Sequence, residues 1–146
     1  DKLENSGHFN QGFVTTEFMA AALLDMAYHT RTTTDPVNPN EFEKATLQKI
    51  GLIPEITVRY RSPYFQHIFA GGYSSGYYAY TWAEVLDADA FEAFRETGNI
   101  FDPEKAKSFR ENILSKGGSE DAMMLYQKFR GKEPSIDPLL KRKGLK

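Results

Sequence analysis

The sequence of 146 residues contains no cysteine. Disulfide bonds, thiolate metal sites and a cysteine nucleophile are therefore excluded within it. No apolar run approaches the ~20 residues that a membrane-spanning helix needs, and the first residues, DKLENSGH, lack the apolar stretch of a signal peptide. The formal net charge is only -2, so no electrostatic feature favours nucleic acid or an anionic membrane as a partner.

Histidine is also scarce, with only His8, His29 and His67. No HExxH motif and no closely spaced histidine pair is present, so local motifs cannot supply a complete zinc-peptidase site. His29 follows Asp25 by four residues in a predicted helix. We interpret these two as a structural i, i+4 pair rather than as a catalytic dyad.

Helix-start and helix-stop signals recur along the chain. Asn38-Pro39 predicts an N-cap and a first-turn proline, in a helix that Gly51 closes. The PEITVRYRS stretch (54–62) fits a short strand or an ordered connector. Further helix starts are predicted at Thr15 or Thr16, Ser74, Asp102-Pro103, Ser119-Glu120-Asp121 and Asp137-Pro138. Short connections without repeats predict an all-α fold, with one multi-helix domain over residues 1–146.

Apolar spacing within two of these helices predicts their buried faces. In the helix that follows Asp102-Pro103, we expect Phe109, Ile113 and Leu114 to face the core. In the next helix, the expected core positions are Met123, Met124, Leu125 and Phe129.

The most unusual stretch is HIFAGGYSSGYYAYTW (67–82), which has one histidine, four tyrosines and three glycines. We predict a long helix from about Ser74 to Thr97, and i, i+4, i+7 spacing would then place Tyr73, Tyr77 and Tyr80 on one face. Phenols, with a pKa of about 10, are neutral donors that can stabilise an oxyanion or hold a peptide backbone. The alternative is an aromatic core stripe, although each buried hydroxyl would then need a partner.

His67 and the glycines also admit two interpretations. His67 is either a hydrogen-bonded core histidine or a group presented beside a cleft. Gly71, Gly72 and Gly76 permit close approach of the backbone or a positive φ. A phosphate loop is disfavoured because the stretch has no lysine and no preceding strand. The basic cluster RYR (59–61) is interpreted as surface charge.

Three segments carry a resemblance to a known family: FNQGFVTTEFMAAALLDMAYHT (9–30), RYRSPYFQHIFAGGYSSGYYAYTWAEVLDADAFEAF (59–94) and ILSKGGSEDAMMLYQKFRGKEPSIDPLLKRKGL (113–145). The chain resembles the C-terminal portion of thimet-oligopeptidase-like zinc metallopeptidases, with the bacterial peptidyl-dipeptidase branch first and oligopeptidases next. The resemblance implies a large two-lobed helical enzyme around a deep channel. Its HExxH motif and a later glutamate, which bind zinc, would lie upstream, so this chain alone is expected to be inactive and metal-free.

The same resemblance implies roles for individual residues. His67, Tyr73 and Tyr80 become the candidate catalytic residues, which face the scissile bond and the tetrahedral intermediate of a short peptide substrate. Substrate binding is assigned to Tyr77, Gly71, Gly72 and Gly76. These glycines would form a flexible segment that lets the side chains move as the channel closes. The implied reaction is release of C-terminal dipeptides, with general cleavage inside short peptides left open.

Two other functions remain open: a non-catalytic α-helical module that binds peptides or other ligands, and a helical scaffold without a site. Because the chain begins at Asp1 without a start signal, we expect a processed or excised piece of a longer polypeptide. Such a piece would expose apolar surface, through which it would self-associate. We expect a cytoplasmic location, while any targeting signal would lie upstream of Asp1.

Overall fold

The structure is a computed structural model that describes residues 2–146, except for the side chain of Glu4. Its α-helices are α1 (Lys2–His8), α2 (Gln11–His29), α3 (Pro39–Lys49), α4 (Gln66–Phe69), α5 (Ala79–Arg95), α6 (Pro103–Phe109), α7 (Ala122–Arg130) and α8 (Asp137–Arg142). The described residues contain no β-strand, which confirms the all-α class and makes residues 54–62 a connector. No helix within residues 2–146 is long and apolar enough to cross a membrane.

Two compact units make up the chain, one up to Thr81 and the other Trp82–Lys146. Each has its own buried core. The expectation of one domain over residues 1–146 stays a prediction.

Side-chain caps begin several helices where the sequence predicts them. The Asn38 side-chain oxygen accepts hydrogen bonds from the backbone N–H groups of Asn40 and Glu41, at 3.0 and 3.3 Å. Asp102 caps α6 and Asp121 caps α7 in the same way, at 2.7 and 3.0 Å. Such caps satisfy N–H groups that have no partner within the helix. The predicted starts of α3, α6 and α7 are therefore confirmed.

Two other predicted helix starts were wrong, and left-handed backbone explains both. α2 begins at Gln11, rather than at Thr15 or Thr16, directly after Asn10 with φ 60°. α5 begins at Ala79 rather than Ser74. Upstream of it, Gly72 has φ 80° and Ser75 has φ 57°. A residue in the left-handed region cannot continue a right-handed helix, so the chain turns before α5 begins.

The predicted buried faces of α6 and α7 need correction. A π-helical turn, Arg110–Leu114, follows α6, and its wider hydrogen-bond spacing shifts the side chains relative to an α-helix. Leu114 is 68% exposed. In α7, Met124 is exposed while Tyr126 is buried. Phe109 does pack against Phe129, with ring centroids 5.1 Å apart.

The core of the first unit includes Ile68, which belongs to the HIFAGGY stretch. Its buried residues come from α2, the connector and the segment around α4: Ala20, Ala21, Ala22, Leu24, Val58, Phe65, Ile68 and Tyr77. Buried Glu43 of α3 accepts a hydrogen bond from the Ser62 backbone N–H at 2.6 Å and pairs with the Arg61 guanidinium. Apolar burial and this carboxylate together hold the short turn Ser62–Tyr64 that leads into α4.

The core of the second unit combines apolar contacts with a buried ion pair. Val85, Ala88 and Leu139 form a small apolar cluster. Buried Asp89 accepts hydrogen bonds from the Arg130 Nε at 2.9 Å and from the Tyr126 hydroxyl at 2.7 Å. Hydrogen bonding from Arg130 lowers the pKa of Glu96 to about 2. Arg130 thus bridges two carboxylates within this unit.

Candidate functional site

The candidate site is a cluster of aromatic rings around His67, which α4 presents. The ring centroid of His67 lies 4.8 Å from that of Tyr60, 5.6 Å from Tyr77, 6.0 Å from Tyr73 and 6.5 Å from Tyr80. The imidazole is half-buried. The structure therefore brings together the four residues that the sequence singled out, namely His67, Tyr73, Tyr77 and Tyr80. All four belong to the first unit.

Tyr73 and Tyr80 form the more accessible side of this cluster. Their rings are stacked, with centroids 5.0 Å apart and planes 18° apart. Tyr80 is 40% exposed and Tyr73 is half-buried. Hydrogen bonding with the Tyr73 hydroxyl raises the pKa of Tyr80 to about 12. The Tyr80 phenol is therefore protonated at neutral pH.

Tyr77 has a different environment from the other two tyrosines. It is 2% exposed and stacks on Phe18 of α2, with ring centroids 5.0 Å apart. Burial raises the pKa of Tyr77. In this structure its ring belongs to the core and packs against the ring of Tyr80, with the two ring centroids 5.4 Å apart. A direct contact between Tyr77 and a substrate stays a prediction.

The predicted reason for the clustering was wrong even though the rings do meet. Tyr73 and Tyr77 precede α5, so no helical face carries them. Consecutive turns bring them together instead: the Tyr73 N–H donates to the His67 carbonyl at 2.9 Å, and the Gly76 N–H donates to the Tyr73 carbonyl at 2.8 Å. These bonds fold the segment back onto α4.

Sequence reasoning missed three residues that shape the site. Tyr60 was assigned to a basic surface cluster, yet its ring lies nearest to His67. Phe18 contacts both Tyr77 and Tyr80. Asp25 forms the predicted pair with His29, at 2.8 Å, but it also hydrogen-bonds to the backbone of Ser75 and Tyr77. An acidic residue among the apolar residues of LLDMA was the available signal for this contact.

The two consecutive glycines have separate structural causes. A Cβ atom at Gly71 would lie 2.8 Å from the His67 Cα and 3.0 Å from the His67 carbonyl oxygen. Gly72 has φ 80°, which favours glycine. Gly76 is less constrained, because a Cβ there would lie 3.4 Å from the nearest atom, the Tyr73 carbonyl oxygen. The close approach at Gly71 lets the segment pack directly against α4.

We expect Gly71→Ala to lower the free energy of unfolding of the chain by about 1–3 kcal/mol, because the added methyl group meets fixed backbone. Gly76→Ala is the matched control, and a Gly→Ala change without a clash is neutral or stabilising by up to about 1 kcal/mol. Urea denaturation followed by circular dichroism measures both variants. Equal losses in the two would show that the Gly71 contact does not constrain the fold.

Among the described residues, no group of three or more histidine, aspartate or glutamate side chains could hold a metal. The chemistry that the site itself offers is hydrogen bonding from phenols and an imidazole.

Comparison with known proteins identifies close relatives. The chain matches the model of "Peptidase family M3" over residues 1–145. It is 43% identical over 146 residues to dipeptidyl carboxypeptidase of Escherichia coli (strain K12), covering 99% of this chain and 21% of that protein. Dipeptidyl carboxypeptidase of Salmonella typhimurium is 42% identical over 147 residues, with 99% and 22% covered. Oligopeptidase A of Escherichia coli is 57% identical over 82 residues, with 56% and 12% covered.

These likenesses confirm the resemblance to bacterial peptidyl-dipeptidases and oligopeptidase A. The chain spans 21% and 22% of the length of the two dipeptidyl carboxypeptidases that it matches. The family model covers it almost from end to end. The chain therefore belongs to peptidase family M3.

Proposed function

We propose that this chain is the C-terminal part of the catalytic region of a zinc peptidyl-dipeptidase, which hydrolyses short peptides and releases C-terminal dipeptides. Membership of peptidase family M3 and 43% identity to a dipeptidyl carboxypeptidase support this proposal. The observation that carries it is the convergence of His67, Tyr73 and Tyr80, whose ring centroids lie 5.0–6.5 Å apart.

In this proposal, Tyr80 and His67 donate hydrogen bonds to the oxyanion that develops on the scissile carbonyl. Tyr80 remains protonated because its pKa is about 12, so it is a donor throughout the neutral range. Tyr73 holds Tyr80 and contacts the bound peptide. Donors that are fixed before the reaction stabilise the transition state because they need no rearrangement when charge develops.

The remaining predicted site residues hold the donors in place. Tyr77 supports the rings from the core. Gly71, Gly72 and Gly76 allow the backbone to turn closely beside α4, and movement of this segment on substrate binding remains part of the proposal. The zinc ion would be held by residues upstream in the full-length polypeptide, where it would polarise the water that attacks the peptide.

Exposed apolar side chains support assignment to a larger protein. Large apolar side chains with more than half of their surface exposed include Leu3, Phe9, Ile53, Tyr64, Phe69, Phe91, Phe101, Leu114 and Ile136. Where such side chains form a contiguous patch, the patch is commonly covered by other protein. We propose that the rest of the same polypeptide covers it, and self-association of the isolated chain stays a prediction.

Peptide hydrolysis by the full-length protein tests the proposal. We expect the full-length protein, with bound zinc, to release a dipeptide from an N-acetylated tetrapeptide with a free C-terminus. The isolated 146-residue chain should show neither hydrolysis nor stoichiometric zinc. Equal cleavage of a C-terminally amidated peptide would instead indicate general oligopeptidase activity. Absence of all hydrolysis in the zinc-loaded full-length protein would contradict the proposal and favour a non-catalytic binding module.

A further inference from the structure

A buried carboxylate on α2 holds the turn that carries the tyrosines. Asp25 has no exposed surface. Its Oδ1 accepts a hydrogen bond from the Ser75 backbone N–H at 3.0 Å, and its Oδ2 accepts one from the Tyr77 backbone N–H at 2.9 Å. The His29 Nδ1 lies 2.8 Å from the same Oδ1. The carboxylate therefore joins α2 to a segment that lies 50 residues further along the chain.

The backbone at this contact has an unusual conformation. Ser75 has φ 57°, and a residue with a Cβ atom is disfavoured in the left-handed region. Both N–H groups that bond to Asp25 belong to this turn, one at Ser75 and one two residues later. Hydrogen bonds to a charged acceptor are stronger than those to a neutral one. The Asp25 carboxylate thus stabilises a turn that the sequence alone disfavours.

The same segment is anchored on its other side by α4. The Tyr73 N–H donates to the His67 carbonyl at 2.9 Å, and the Ser74 hydroxyl donates to the Ile68 carbonyl at 2.5 Å. Tyr73 therefore lies between two anchors, α4 before it and Asp25 after it. α5 begins with Ala79 directly after the Asp25 contact, so the position of Tyr80 depends on that turn as well.

We propose that Asp25 is a positioning residue, whose carboxylate fixes the Ser75–Tyr77 turn and thereby holds the rings of Tyr73 and Tyr80 together beside His67. Asp25 would not touch the substrate. This inference rests on the proposed function, because it concerns the placement of the groups assigned to the transition state. Small displacements of such groups are costly to the rate.

Asp25→Asn in the full-length peptidase tests this role. The asparagine amide has nearly the same shape, but its NH₂ group cannot accept the second backbone hydrogen bond. We expect kcat to fall by about 10²-fold, as for a misplaced catalytic group, with KM and zinc content close to the wild-type values. Asp89→Asn, another buried aspartate, is the matched control in the second unit, and it should lower stability without lowering kcat.

Nuclear magnetic resonance on the 146-residue chain gives a second readout that does not depend on activity. We expect the contacts between the Tyr73 and Tyr80 rings, and the amide shifts of Ser75 and Tyr77, to be lost or altered in Asp25→Asn and retained in Asp89→Asn. If Asp25→Asn does not fold, His29→Leu leaves the carboxylate in place and removes one donor. We then expect a smaller fall in kcat together with a shift of the Ser75 amide.

The two readouts separate this inference from the proposed function. Retained contacts between the Tyr73 and Tyr80 rings in Asp25→Asn would overturn the positioning role. An unchanged kcat in Asp25→Asn, together with a lowered kcat in Tyr80→Phe, would overturn it as well. An unchanged kcat in Tyr80→Phe would instead overturn the role in the transition state that we propose for Tyr80. The ring contacts would still show whether Asp25 sets the tyrosine geometry.

Discussion

Tyr80→Phe should lower kcat of the full-length protein by about 10²–10³-fold, the cost of losing the oxyanion donor that we propose. The substitution removes only the hydroxyl and keeps the ring that stacks on Tyr73. Since the donor acts mainly in the transition state, KM should change little. Steady-state kinetics on an N-acetylated tetrapeptide, with zinc content measured in parallel, provide the test.

Tyr78→Phe is the matched control for this substitution. Tyr78 lies two residues earlier and is 52% exposed, and it has no part in the ring contacts described around His67. Loss of its hydroxyl should leave kcat near the wild-type value. If Tyr80→Phe and Tyr78→Phe have the same kcat as the wild type, Tyr80 has no role in the chemical step.

Arg130→Met should lower the free energy of unfolding of the second unit by about 3–5 kcal/mol, the usual cost of removing one partner of a buried ion pair. Methionine fills much of the same space, but among the described residues it leaves buried Asp89 with the Tyr126 hydroxyl as its one side-chain donor. Fluorescence of Trp82, the single tryptophan of the chain, reports urea unfolding of this unit.

Arg142→Met is the control for the buried pair. Arg142 pairs with Asp87 at 2.6 Å, and both side chains are exposed. Exposed ion pairs contribute about 0–1 kcal/mol, so the midpoint of unfolding should move only slightly. A comparable loss in both arginine variants would show that burial of the Asp89 pair adds nothing to its contribution.

The helix boundaries show where local sequence was sufficient. Asn38, Asp102 and Asp121 are followed by the N–H groups that they cap within three residues. A contact of such short range can be predicted without knowledge of the fold. The same holds for the Asp25–His29 pair, since four residues place two side chains on one helical face.

The geometry of the tyrosine cluster could not be predicted in the same way. It depends on the left-handed backbone of Ser75, a residue type that gives no signal for that conformation. It also depends on Asp25, which is 50 residues away from Ser75. Helical spacing did predict that Tyr73 and Tyr80 would meet, but the turn before α5 is what brings them together.

The position of Tyr77 has a related explanation. Helical spacing grouped it with Tyr73 and Tyr80 on one face, whereas its ring fills the core against Phe18 and Phe65. Its backbone N–H donates a hydrogen bond to Asp25, and this contact places the Tyr77 side chain in the core. Tyr77 therefore supports the neighbouring rings of the cluster through packing.

Binding of a tetrahedral inhibitor tests the central claim most directly, namely that Tyr80 acts on the transition state. A phosphinic tetrapeptide analogue resembles the tetrahedral intermediate, and its inhibition constant can be compared between the wild-type full-length enzyme and Tyr80→Phe. We predict that this constant rises by about the same factor as kcat/KM falls, about 10²–10³-fold. An unchanged inhibition constant in Tyr80→Phe would contradict the assignment of Tyr80 to the transition state.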